Sequence, residues 1–232
     1  MRKFLIKIFD VIVVLGLIAI VYYDYKNSNK PEEVISYSMS DYPAYNGEDY
    51  IIINNNEPDF DNVTNTTSFE EYGELDSLGR CTYAYANIGV DLMPNGPREN
   101  ISMIKPSGWK ISKYDFIEGE YLFNRCHLIA YQLTGENLNE RNLITCTRHL
   151  NSVSMLEFEE KVGNYIRKTK NHVLYRSTPI FEGDNLIATG IHLEAKSIED
   201  DGKGIKFNIF LYNIEPRVKI DYSNGNNELF EK

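Results

Sequence analysis

Arg125 and His127 stand two residues apart in the apolar run YLFNRCHLIAYQL, residues 121–133, of a chain with only 4 histidines. Burying an imidazole beside a guanidinium is unfavourable unless both have partners or work to do. On a strand, alternate side chains share a face, so Arg125 and His127 point together and Cys126 points away from them. A neutral imidazole can take a proton from water near neutral pH, and a guanidinium can hold a phosphate oxygen. Together they suit phosphodiester hydrolysis; the competing reading is a structural histidine satisfied by its neighbours. A Cys126–His127 nucleophile–base pair is excluded, because strand neighbours lie out of hydrogen-bond reach. Cys126 reads instead as a small core residue.

A third element comes from the segment SVSMLEFEEKVGNYIRKTK, residues 152–170, where the apolar period becomes helical at Met155, Phe158, Val162 and Ile166. Ser154 with Glu157 gives the signature of a capping box at its start. At about 100° per residue from Met155, Glu159 falls about 40° round, on the flank leaning towards the core, while Glu157 and Glu160 point outward. A carboxylate in that position needs a cation or a hydrogen-bond donor. Asn151, just before the helix, is either an N-cap or an amide oxygen for a metal. One amide plus a water-mediated carboxylate suits a hard divalent cation such as Mg²⁺ or Mn²⁺, which keeps several of its waters.

The elements that must position these residues follow from pattern. Residues 121–130 and 141–150 read as two strands joined by the polar loop 131–140, and the helix follows them. HVLYRSTPIF, NLIATGIHLEA and GIKFNIFLYNI read as three further strands separated by tight turns, an antiparallel meander. YIIINNN at 50–56 and CTYAYANIGV at 81–90 add two more strands, and the polar stretch between them reads as a loop. MPNGPREN and IKPSGWK are turn clusters. The fold class expected is α+β, a central antiparallel sheet with a strand–strand–helix active-site motif, preceded by an N-terminal transmembrane helix.

That last expectation rests on MRKFLIKIFDVIVVLGLIAIVYY, whose apolar run is long enough to span a bilayer and whose basic N-terminal flank favours a cytoplasmic N-terminus. Residues 1–23 read as a signal-anchor or a signal peptide, 24–47 as a linker, 48–222 as the exported domain and 223–232 as a polar tail. The domain is therefore expected outside the cell, membrane-attached or released if the segment is cut. The chain of 232 residues carries a formal net charge of −10, which argues against a general nucleic-acid binder. The charge is uneven, however: residues 101–180 hold 11 Lys/Arg against 8 Asp/Glu. A local positive field can serve a polyanion on an acidic protein because distant charges are screened. Of the three cysteines, Cys81, Cys126 and Cys146, at most two can pair within the chain, and Cys81 with Cys126 is one possible disulfide. They lack the close spacing of a structural zinc site. His149, His172 and His192 read as structural.

The stretch FNRCHLIAYQLTGENLNERNLITCTRHLN resembles the core of the bacterial DNA/RNA non-specific endonucleases, a ββα-metal (His-Me finger) family, and within it the secreted DNases of streptococcal type and the DNA-entry nuclease of competence. The resemblance runs from about Leu78 to Asn213. It rests on Asn124-Arg125-Cys126-His127, on RNLIT and on TRHLN, in that order before a helix. It implies a Mg²⁺-dependent, sequence-non-specific endonuclease acting on DNA, with RNA as a second candidate substrate, and with no small-molecule cofactor. By that resemblance His127 is the general base, Asn151 a direct metal ligand, Glu159 a holder of the metal's waters, Asn142 and Arg125 active-site residues, and Arg80 and Arg148 candidate nucleic-acid contacts. Asn124 stands where the family usually has Asp, Cys126 and Cys146 where glycine is more usual. The alternative is a surface receptor on the same fold that binds DNA without cutting it.

Overall fold

A computed structural model describes residues 38–60 and 63–230. The expected membrane segment and most of the linker lie outside them. Among the described residues no helix is long and apolar enough to cross a membrane. Among the described residues ten strands alternate with a few short helical turns and one long helix. In chain order the strands are β1 (Tyr50–Ile52), β2 (Phe69–Tyr72), β3 (Ala84–Ile88), β4 (Phe123–His127), β5 (Leu143–Thr147), β6 (Val173–Ile180), β7 (Gly190–Ser197), β8 (Lys206–Tyr212), β9 (Val218–Asp221) and β10 (Asn226–Leu229). The helices are α1 (Tyr131–Thr134) and α2 (Met155–Thr169), the latter preceded by a π turn, Leu150–Ser154.

Six strands form one antiparallel sheet in the order β1-β8-β7-β6-β3-β2, with the expected meander β6-β7-β8 at its centre. β4 and β5 pair separately, His127 opposite Leu143 and Phe123 opposite Thr147. The hairpin and α2 share one core with the large sheet. Cys126, Ile144 and Cys146 from the hairpin meet Met155, Phe158, Val162 and Ile166 from the helix, over Ala86, Tyr175, Leu193 and Phe207 of the sheet. Alternation explains this: the face of β4 that carries Cys126 turns inward, which leaves Arg125 and His127 on the other side.

Three expectations are corrected. Cys126 pairs with Cys146 rather than with Cys81, joining β4 to β5 with 5.8 Å between Cα atoms. Cys81 is a buried free thiol donating to the carbonyls of Glu140 (3.3 Å) and Leu143 (3.2 Å). The helix does not begin with a capping box at Ser154, whose backbone is already helical and whose side chain makes no cap bond. Helical structure starts at Arg148, and the cap is Thr147, whose Oγ1 accepts from the Leu150 N–H at 3.0 Å. Parts of the expected linker and tail belong to the fold. Tyr42 is buried, stacked on Phe210 with 4.1 Å between ring centroids, and residues 226–229 form β10.

Candidate active site

His127 ends β4, with 6% of its surface exposed. Its Nε2–H donates to the backbone oxygen of Asn137 at 3.2 Å. A carbonyl only accepts, so the proton sits on Nε2 and the lone pair on Nδ1. Nδ1 accepts a bond from Arg98 Nη2 at 3.0 Å. Burial, then the Arg98 charge, push the imidazole pKa from 6.5 down to about 4, against the pull of the Asn137 carbonyl. The ring is therefore neutral at ordinary pH.

Beside His127 opens a cavity of about 450 Å³ whose wall includes Arg98, Arg148, Asn151 and Glu159. Asn151 lies in the π turn, and this is what brings it level with Glu159. Eight residues of regular α-helix would leave the two about 80° apart, whereas one inserted residue makes the separation about seven steps, within about 20° of two full turns. The Asn151 amide nitrogen lies 3.5 Å from Ser152 Oγ, and no described residue donates to its oxygen. Glu159 is buried, and its carboxylate accepts no hydrogen bond among the described residues. Burial raises its pKa from 4.5 to about 8, with Arg98 pulling it down and Glu160 pushing it up. Arg148 is anchored to Glu118 at 3.0 Å, while its Nε is buried without a partner.

The donors facing the cavity suit a hard divalent cation. An amide oxygen and an unpartnered buried carboxylate are oxygen ligands, and the room around them accommodates water. Among the described residues no group of three or more His, Cys, Asp and Glu side chains converges, so a cation here would be held mostly through waters.

Three residues expected at the site lie elsewhere. Arg125 shares the strand face with His127, but its guanidinium stacks on Trp109, 3.9 Å from the ring centroid. It donates to the carbonyls of Ser102 (2.7 Å) and Ile104. Those partners satisfy the fork and turn it away from the cavity. Asn142 is 1% exposed and clamps the chain after β4, accepting from the Ile129 N–H (2.9 Å) and donating to the Ile129 carbonyl (3.1 Å). Arg80 is spent on Asp76 (2.6 Å) and the carbonyls of Gly183 (2.8 Å) and Asn185 (2.9 Å). The other histidines are tied up away from the cavity, His149 with Asp49, His172 with Glu199 and His192 with Tyr42 and Asn208. Sequence reasoning missed Arg98 and Asn137. Arg98 sits in the turn cluster MPNGPREN, where no period indicates direction, and Asn137 acts on His127 through a backbone atom that any residue possesses.

The model of the family described as DNA/RNA non-specific endonuclease matches residues 61–199. Among solved structures, NucA from Streptococcus agalactiae with a magnesium ion bound superposes with a TM-score of 0.67 at 24% identity, covering 76% of this chain and 86% of that one. The same protein with no metal bound gives 0.66 at 26% identity over 76% of this chain and 85% of that one. The Sda1 nuclease with a bound zinc ion gives 0.60 at 28%, covering 71% of this chain and 82% of that one. Among curated proteins no sequence matches. With the family match spanning more than half of the chain, this protein belongs to the DNA/RNA non-specific endonucleases and is a nuclease that hydrolyses phosphodiester bonds.

Proposed function

We propose that the protein is a divalent-cation-dependent endonuclease that cuts DNA without sequence preference outside the cell, with His127 as general base. The observation that carries this reading is the shared cavity of a neutral imidazole, whose lone-pair nitrogen is turned to Arg98 of the cavity wall, an Asn151 amide and an unpartnered Glu159 carboxylate. Asn151 and, through water, Glu159 would hold a Mg²⁺ or Mn²⁺ ion, which supplies charge stabilisation at the phosphate and the departing oxygen. The magnesium-bound and zinc-bound neighbours support a divalent ion of this kind.

His127 Nδ1 takes the proton from the attacking water. To do so it must give up its bond from Arg98, which turns a donor to a phosphate oxygen instead; a guanidinium has five N–H groups to share. Arg148, on the same cavity wall, would face the same polyanion. Contacts of this type reach the backbone and not the base edges, which supports cleavage without sequence preference. Residues 1–23 would export or anchor the domain, 24–37 would act as spacer, and RNA remains a second substrate of the same chemistry.

Plasmid cleavage by the purified protein tests this, with and without EDTA and beside His127→Ala. We expect EDTA to stop cleavage and His127→Ala to lose about 10²–10⁴-fold in rate, the usual contribution of a general base. Undiminished cleavage by a folded His127→Ala protein overturns the assignment. DNA binding without cleavage by the unmodified protein would favour the receptor alternative.

A further inference from the structure

Three hydrogen bonds and one chain link close a loop through one residue outside the cavity wall. Asn137 lies between α1 and β5, after Gly135 has ended α1 in the left-handed region at φ 73°. Its carbonyl accepts from His127 Nε2 at 3.2 Å. Its side-chain amide donates to the carbonyl of Glu99 at 3.1 Å. Glu99 follows Arg98, and Arg98 Nη2 donates to His127 Nδ1 at 3.0 Å. The Asn137 side chain is buried, with 8% exposure, and the Glu99 oxygen can only accept, so the amide nitrogen must face it.

We propose that Asn137 is a positioning residue that holds Arg98 against His127, its backbone fixing the imidazole and its side chain holding the loop that carries the arginine. This rests on the reading of His127 as base and Arg98 as phosphate contact. Residues 94–104 contain no helix or strand, so side-chain pins set their position. Tyr131 donates to the Gly96 carbonyl at 3.0 Å, Asn137 to Glu99, and Arg125 to Ser102 and Ile104. The pin at Glu99 is the one adjacent to Arg98. It also shares a residue with the bond that sets the imidazole's tautomer, so the base and the cation are referred to one point. Displacing a catalytic cation by about 1 Å can cost on the order of 100-fold in rate.

The test uses the full-length purified protein with Mg²⁺. Asn137→Asp is close in size and retains the carbonyl, but its side chain cannot donate when ionised; Asn137→Ser is neutral and shorter. Both should lower kcat by about 10- to 100-fold with a smaller change in KM, and leave the Mg²⁺ concentration for half-maximal rate unchanged. Added to Arg98→Ala, either should produce no further loss, because both act through the same group. A merely structural role would lower the melting temperature and leave kcat of the folded protein intact. Wild-type kcat in folded Asn137→Ser, or a loss that multiplies with that of Arg98→Ala, overturns the proposal. If the buried charge of Asn137→Asp prevents folding, Asn137→Ser decides alone. An active His127→Ala protein would sink the underlying functional reading, whereas an inactive one beside unimpaired Asn137 variants would sink only this inference.

Discussion

Burial moves Glu159 and His127 in opposite directions for one reason: it favours the neutral form of each. The carboxyl rises to about 8 and the imidazole falls to about 4, so without a cation both are uncharged near pH 7. The two consequences for stability have opposite sign. A raised carboxyl pKa contributes stability that is fully present below about 4.5 and is lost as pH rises through about 8. A depressed imidazole pKa contributes stability present above 6.5 and lost as pH falls through about 4. Between about pH 7.5 and 8 His127 is almost wholly neutral folded and unfolded, so Glu159 can be observed there. In EDTA, the melting temperature should fall over that window, and Glu159→Gln should flatten the fall. An equal slope in both proteins would show that Glu159 does not titrate there. Arg125 and Asn142 teach a different lesson at this scale: residue type and strand face were readable, but where a long or bifunctional side chain finds its partners was not.

The hairpin, the π turn and α2 act together as one element. Thr147 caps the helix seven residues earlier than the Ser154–Glu157 pattern predicts, and the extra residue in the π turn then aligns Asn151 with Glu159. The hairpin beneath is stapled by Cys126–Cys146, across a sequence separation of 20. Both cysteines turn inward, opposite to His127, so the bond braces the strands without entering the cavity. Closing a loop of this length in the unfolded chain stabilises by about 3 kcal/mol. Urea unfolding should accordingly show Cys126→Ala/Cys146→Ala to be destabilised by about that amount, with the same deficit for the unmodified protein in reductant. Identical midpoints with and without reductant would mean that the pair is not bonded in solution.

At the scale of the whole molecule the acidic balance limits how DNA is held. With a net charge of −10, the proposed phosphate contacts are the two arginines of the cavity wall, Arg98 and Arg148. Two neutralised phosphates give a slope of about −1.8 in log K against log salt on duplex DNA, and Arg148→Ala should reduce it by about one unit. A much steeper slope would reveal a basic track beyond the cavity. The order strand, strand, helix, the face of His127 and the inward flank of Glu159 were legible in the sequence because alternation and the 3.6-residue period are local properties that assign a face to each side chain, whereas the alignment of Asn151 with Glu159 came from a π turn that no period announces. The meander β6-β7-β8 was legible for the same reason. The tertiary structure alone decided that Arg98 faces His127, that Asn137 fixes the ring, that Arg125 stacks on Trp109 and that Cys146 takes Cys126. Each of these joins segments distant in sequence, most of them through loops without a period, and such contacts are set by which donors and acceptors remain unsatisfied once the chain has packed.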